Sequence, residues 1–135
     1  MCRKHYNVVA AVIEVDGKVL CMQRGVTRYS YTSHLWEFPG GKVESGETPE
    51  QALHRELMEE MDLDVVVHEH LATVTHEYPD FIITLAAYRC TADTTEFTMR
   101  EHAASRWLPW DELSTLPWCA ADERLIALFP SRDEV

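Results

Sequence analysis

A chain of 135 residues is long enough to enclose one real core and short for two, so residues 1–135 are expected to form a single domain. Its 46% apolar content is ordinary for a globular protein, and a net charge of −11 argues against binding a nucleic-acid polymer, which needs a basic footprint. Cys2, Cys21, Cys90 and Cys119 show neither a C-x-x-C pair nor zinc spacing. With no signal-peptide core and no membrane-length apolar run, the expectation is reduced thiols, a cytoplasmic address and no membrane partner.

In chain order, Tyr6 to Val15 is rich in β-branched residues and meets Asp16-Gly17, a hairpin signal, with Lys18 to Gln23 as the return strand. Arg24 to His34 is polar and aromatic without a period and reads as a loop. Leu35 to Phe38 looks like a short strand entering a turn at Pro39-Gly40-Gly41. Thr48-Pro49-Glu50-Gln51 is a helix start, with Thr48 as N-cap, Pro49 at the first helical position and Gln51 closing a capping box; the helix runs to about Met61.

Val65 to Tyr78 and Phe81 to Cys90 are strands joined across Pro79-Asp80. Thr91 to Arg100 is a polar loop, Ala103 to Pro109 a strand, and Asp111 to Leu116 a helical turn. Ala120 to Phe129 forms a second helix with Leu125, Ile126 and Phe129 inward, and Ser131 to Val135 frays. Strands, helix, strands, helix in one small domain predict an α+β fold, an α/β/α sandwich around a mixed sheet.

The chemistry concentrates between Gly40 and Leu63. Glu56, Glu59 and Glu60 project from one side of the first helix, beside the apolar stripe of Leu53, Leu57 and Met61. An acidic stripe is usually a solvated face. Carboxylates crowded at the edge of a core instead ask for a cation, and all-oxygen ligation suits Mg²⁺ or Mn²⁺.

Gly41, Glu47, Arg55-Glu56-Leu57 and Glu59-Glu60 reproduce the pattern G-x5-E-x7-REU-x-EE-x-GU, where U is a large aliphatic residue, and so resemble the Nudix box. The one departure is Asp62, where the pattern has glycine. That position closes the helix, and a left-handed cap prefers Gly but accepts Asn and, less well, Asp. The resemblance implies a mixed sheet between helices, the box as a loop-helix-loop, and metal-dependent hydrolysis of a nucleoside diphosphate linked to another group. Carried over position by position, Glu56, Glu59 and Glu60 are metal ligands with the Gly40 carbonyl. Glu47 and Arg55 orient them, and Glu56 is the first choice for the base that activates water.

Beyond the box, the chain is similar to the MutT-type branch, and most to its CTP pyrophosphohydrolase members. The matching segments are WEFPGGK at 36 to 42, EYPDFIITL at 77 to 85, Glu101 to Trp107 and AADERLIALF at 120 to 129. That likeness makes Glu101, on spacing alone a solvated loop carboxylate, a further metal ligand and a rival for the base. It assigns Arg24, Glu37, Phe38, Lys42 and Asp122 to the nucleotide. Asp122 is equally readable as a helix cap; taken as an ionised acceptor, it excludes neither guanine nor cytosine. Phe81 and Tyr78 are either a stacking wall or core. The expected reaction turns 8-oxo-dGTP, CTP, dCTP or 5-methyl-dCTP into a monophosphate and pyrophosphate, by a monomer or homodimer. The competing readings are cleavage of ADP-ribose or dinucleoside polyphosphates, and a catalytically silent nucleotide sensor.

Overall fold

The computed structural model describes residues 3–130. Strand β1 (Lys4–Val15) is its axis, carrying the apolar run Val8 to Ile13. On one side it pairs in parallel with β6 (Phe81–Thr91) along nearly its whole length, and β6 pairs antiparallel with β5 (Val66–Glu77) across the turn at Tyr78 to Asp80. On its other side β1 meets β4 (Gly40–Lys42) near its middle and β2 (Lys18–Arg24) at its end. Strand β2 also pairs with β3 (Trp36–Glu37) and β7 (His102–Pro109).

Because successive side chains of a strand point to opposite faces, β1 feeds two cores at once. Val9, Ala11 and Ile13 join Leu20 and Met22 against Ala52, Leu53, Leu57 and Met61 of helix α1 (Pro49–Met61). Ala10 and Val12 join Val19 and Cys21 against Ala121 and Leu125 of helix α2 (Ala120–Leu128). The sheet therefore lies between the two helices, the expected sandwich. Ile126 and Phe129 are only partly buried, so Leu125 carries most of the inward face of α2. A turn of 3₁₀ helix, Trp110–Thr115, links β7 to α2.

One expectation fails. Gly40-Gly41 reads locally as part of a turn, but Gly40 to Lys42 pairs antiparallel with Val8 to Ala10. The glycines permit a close approach that no other residue allows: a Cβ on Gly40 would stand 2.0 Å from the Val9 carbonyl oxygen. Cys21, Cys90 and Cys119 are buried and free, and burial pushes the first two thiols up to about 12. Cys2 and the expected fraying of 131–135 fall outside the described residues. No described helix is long and apolar enough to cross a membrane.

Helix α1 begins and ends as its sequence requires. The Thr48 side chain accepts from the Gln51 N–H while the Gln51 side chain accepts from the Thr48 N–H, completing the capping box. At the other end Asp62 is left-handed, with φ 56° and ψ 34°, and its N–H reaches the Met58 carbonyl at 3.1 Å. The Arg100 guanidinium lies 3.8 Å from the exposed Asp62 carboxylate, too long and too solvated to offset much of the backbone cost. Asp62→Gly is therefore expected to stabilise the fold by roughly 0.5–1 kcal/mol with turnover unchanged, measured by urea unfolding beside steady-state rates. A less stable glycine variant would show that the carboxylate contributes more than this cap.

Candidate active site

The acidic helix is held to β4 by an arginine. Arg55 Nε and Nη2 donate to the two oxygens of Glu47 at 2.7 and 3.0 Å, its Nη1 donates to Glu56 at 2.8 Å, and Nη2 also reaches the Lys42 carbonyl. A paired fork of this kind is among the stronger charged contacts. It lowers the Glu47 carboxyl to about 2, helped by the Glu44 N–H, and raises the Arg55 guanidinium. The Glu56 carboxyl lies so close to Gly41 that a Cβ there would sit 2.3 Å from its carboxyl carbon. The glycine of the motif is thus a seat for the glutamate.

Glu60 stands within hydrogen-bonding reach of both Glu56 and Glu101. Burial first, then the charges of Glu101 and Glu56, push its carboxyl up to about 9. The structure therefore brings Glu56, Glu60 and Glu101 together, although 41 residues separate the last two in the chain. Glu59 is different: its side chain is 62% exposed and 3.5 Å from Arg55. Among the described residues no three such side chains are already closed into a coordination shell. The donor set still fits a hard divalent ion, because three oxygen ligands that cannot ionise together are what a cation would join.

Beside this cluster lies a cavity of about 310 Å³, lined by Arg24, Tyr29, Glu37, Tyr78, Phe81 and Asp122 among others. Its aromatic wall is continuous. Phe81 lies 4.9 Å from Tyr78 and 5.6 Å from Tyr29, and Tyr31 stacks on both Tyr29 and Tyr78. The Tyr31 hydroxyl donates to Asp80 at 2.8 Å, fastening the 25–35 loop across the sheet. Phe81 thus faces a cavity as well as core. Lys42 is exposed, with Nζ 4.2 Å from the Tyr6 ring centre at the same cavity.

Asp122 is not a helix cap. Cys119 occupies that position, while Asp122 sits two residues into α2, 6% exposed, with Oδ2 accepting from the Phe38 N–H at 3.0 Å. Burial, then the Glu37 charge, raise its carboxyl well above the ordinary range. Against the ionised acceptor expected from the sequence, burial at this place favours the protonated carboxyl. Phe38 packs its ring on Trp118 and Phe129 and has already spent its N–H on Asp122.

Arg24 and Glu37 form the partition. Arg24 Nη1 donates to Glu37 at 2.8 Å, and His102 Nε2 approaches the other Glu37 oxygen at 2.9 Å. Burial opposes ionisation of Glu37, but the His102 hydrogen bond and then the Arg24 charge hold its carboxyl below the usual value. Arg24 Nε is buried and has no hydrogen-bond partner among the described residues. Both residues also line a second chamber, of about 380 Å³, shared with Arg28, His102 and Glu101. Reading along the chain misses His102, whose partner is 65 residues away. It also misses the stacking of Tyr31 on Tyr29 and Tyr78, beyond the general signal of an aromatic loop.

Residues 3–129 match the NUDIX domain. The chain is 40% identical over 126 residues to a CTP pyrophosphohydrolase of Escherichia coli K12, covering 93% of this chain and 92% of that one. It is 42% identical over 102 residues to an 8-oxo-dGTP diphosphatase of Proteus vulgaris, covering 75% and 89%. Among solved structures, MutT of methicillin-resistant Staphylococcus aureus 252, of the family Nudix hydrolase, superposes with a TM-score of 0.72 at 41% identity, covering 93% and 95%.

The Arg55 fork gives the site a pH signature. Glu47 titrates at about 2 in the fold against an ordinary 4.5. Its contribution is complete above the ordinary value and fades as pH falls toward the folded one. Glu47→Gln is therefore expected to be less stable than the parent at neutral pH. In urea unfolding from about pH 7 to about pH 3, that difference should shrink on acidification. A difference constant across the range would mean that shape, and not charge, is what the carboxylate supplies.

Proposed function

This chain belongs to the Nudix hydrolase family, and on that premise we propose that it hydrolyses nucleoside triphosphates to a monophosphate and pyrophosphate with Mg²⁺ or Mn²⁺. The observation that carries the reading is the partition. Arg24 and Glu37 line both the aromatic cavity and the chamber that reaches Glu101. A nucleotide laid across them has its base among Tyr78, Phe81 and Asp122 and its phosphates toward the carboxylates.

Glu56, Glu60 and Glu101 would hold the divalent ion, with Glu59 and the Gly40 carbonyl at the periphery. When bound, such an ion neutralises charge on phosphoryl oxygens and acidifies water. The chain's own residues do the rest. Arg55 fixes Glu56 by one oxygen, and the carboxylate so held would take a proton from the attacking water. Arg24, Arg28 and Lys42 are cations around the first cavity of an otherwise acidic molecule and balance the anionic substrate. Arg24 Nε offers its unpaired donor to the nucleotide. Nothing in this arrangement calls for a polymer or a membrane, and the partner is a small nucleotide.

Burial that favours the protonated form of Asp122 bears on the choice of base. A protonated carboxyl both donates and accepts, the pattern that cytosine needs at N3 and its 4-amino group. Guanine or 8-oxoguanine presents two donors at N1 and N2 and is better served by the ionised form. We therefore assign CTP, dCTP and 5-methyl-dCTP as the first class and 8-oxo-dGTP as the second. The E. coli and Proteus relatives, with their CTP and 8-oxo-dGTP names, support the same pair.

Two experiments test this. Phosphate release with added pyrophosphatase, over a nucleotide panel, should rank cytosine triphosphates and 8-oxo-dGTP far above ADP-ribose, and Glu60→Gln should lose turnover by orders of magnitude while still folding. Near wild-type turnover in Glu60→Gln at limiting Mg²⁺ would retire the metal assignment. The second follows the titration of Asp122. As pH rises through its elevated value, cytosine should lose ground to 8-oxoguanine, because the donor disappears. Asp122→Asn keeps a donor and an acceptor at all pH values, so the CTP to 8-oxo-dGTP ratio of kcat/KM should become flat with pH. Asp122→Ala should compress the ranking by about ten- to a hundredfold. An unchanged ranking in both variants would end the base-reading assignment.

A further inference from the structure

Glu101 is the one carboxylate of the cluster that no helix positions. It lies in the last loop residue before β7, exposed, yet its carboxyl reaches Glu60. Its two neighbours are both anchored. Arg100 Nη1 donates to the Glu59 carbonyl at 2.9 Å, at the end of α1. On the other side, the His102 ring is 7% exposed, with Nε2 2.9 Å from Glu37. Glu37 is ionised and can only accept, so Nε2 carries the proton and donates. The β2–β7 ladder has its one irregularity here: Gln23 faces Ala104 but Arg24 faces His102, so β7 gains an unpaired residue. Such a bulge re-aims side chains, and here it turns His102 onto the carboxylate that Arg24 shares.

We propose that His102 is a positioning residue for the reaction: through its hydrogen bond to Glu37 it sets where the adjacent Glu101 carboxylate stands against Glu60, and links the base cavity to the metal carboxylates. The inference rests on the reading of Glu101 as a metal ligand. A bulky apolar side chain would fill the same space but could not fix the start of β7 in one place. It would also strip the buried Glu37 oxygen of a donor, which weakens the Arg24–Glu37 partition.

The test uses two variants of matched length on the full chain. His102→Gln places an amide donor near the position of Nε2, and His102→Met fills the space without one. Mn²⁺ binding to nucleotide-free protein is followed by electron paramagnetic resonance, beside kcat, KM and melting temperature with CTP. His102→Met should weaken Mn²⁺ binding and lower kcat by about ten- to a hundredfold each, with KM within about twofold, and Gln should restore most of both. Should the Met variant not fold, His102→Asn, whose shorter amide falls short of Glu37, takes its place. Wild-type Mn²⁺ affinity and kcat in the variant lacking the donor would overturn the inference, as would equal losses in it and Gln with matching drops in melting temperature. Glu101→Gln separates the two levels. If it is impaired while the donor-less variant is not, only the positioning role falls; if it too binds Mn²⁺ and turns over normally, the Glu101 assignment falls and this inference with it.

Discussion

The constraint on which the structure depends is the crowding of carboxylates on one side of α1. Like charges one helical turn apart oppose the helix, and here they also stand at the rim of a core, where the surrounding dielectric is low. Two devices make the arrangement tolerable. Arg55 joins Glu47, Glu56 and the β4 backbone into one charged network, and Glu60 keeps a proton where Glu56 and Glu101 meet it. The buried side chains Ala52, Leu53, Leu57 and Met61 supply the force that keeps the helix on the sheet despite this. Truncating any of the larger ones costs about 2–5 kcal/mol in a packed core. The acidic face is therefore sustained by the apolar face of the same helix.

The same logic of paired charges extends to the neighbouring cavity. Glu37 is ionised in a half-buried place only because His102 and Arg24 each take one of its oxygens. Its charge in turn helps raise the carboxyl of Asp122, which is 6% exposed and accepts from the Phe38 N–H. Environment thus pushes these two neighbouring carboxyls in opposite directions, Glu37 down and Asp122 up. That separation is how a site built from few residue types obtains both donors and acceptors.

What the sequence made legible was what local chemistry decides. The capping box at Thr48 and Gln51, the left-handed Asp62 and the hairpin turns at Asp16-Gly17 and Pro79-Asp80 all involve residues within a few positions of one another. The carboxylate grouping of Glu56 and Glu60 was readable for the same reason, since helical periodicity places them. Strand β4 was not, because two glycines carry no strand signal and the partner that makes them a strand is 30 to 34 residues earlier, at Val8 to Ala10. Asp122 was ambiguous because a carboxylate near a helix start looks like a cap until the packing of Phe38 against it is seen. Its protonation state depends on burial, which no local pattern reports. His102 had no signal of its own at all: its role exists only where β3 and β7 bring Glu37 and the β2–β7 bulge together.

The central claim is that the clustered carboxylates are a cation site and not merely an acidic face. Thermal unfolding of the nucleotide-free protein over a Mg²⁺ titration tests it directly, beside a variant with Glu56, Glu60 and Glu101 all changed to Gln. An ion bound only by the folded state raises its stability with concentration, by about 2.7 kcal/mol at a hundredfold excess over the dissociation constant. The account predicts a melting temperature that climbs with Mg²⁺ in the parent. In the triple variant it predicts no response to the ion. A parent indifferent to Mg²⁺, or a triple variant that climbs in step with it, would contradict the account.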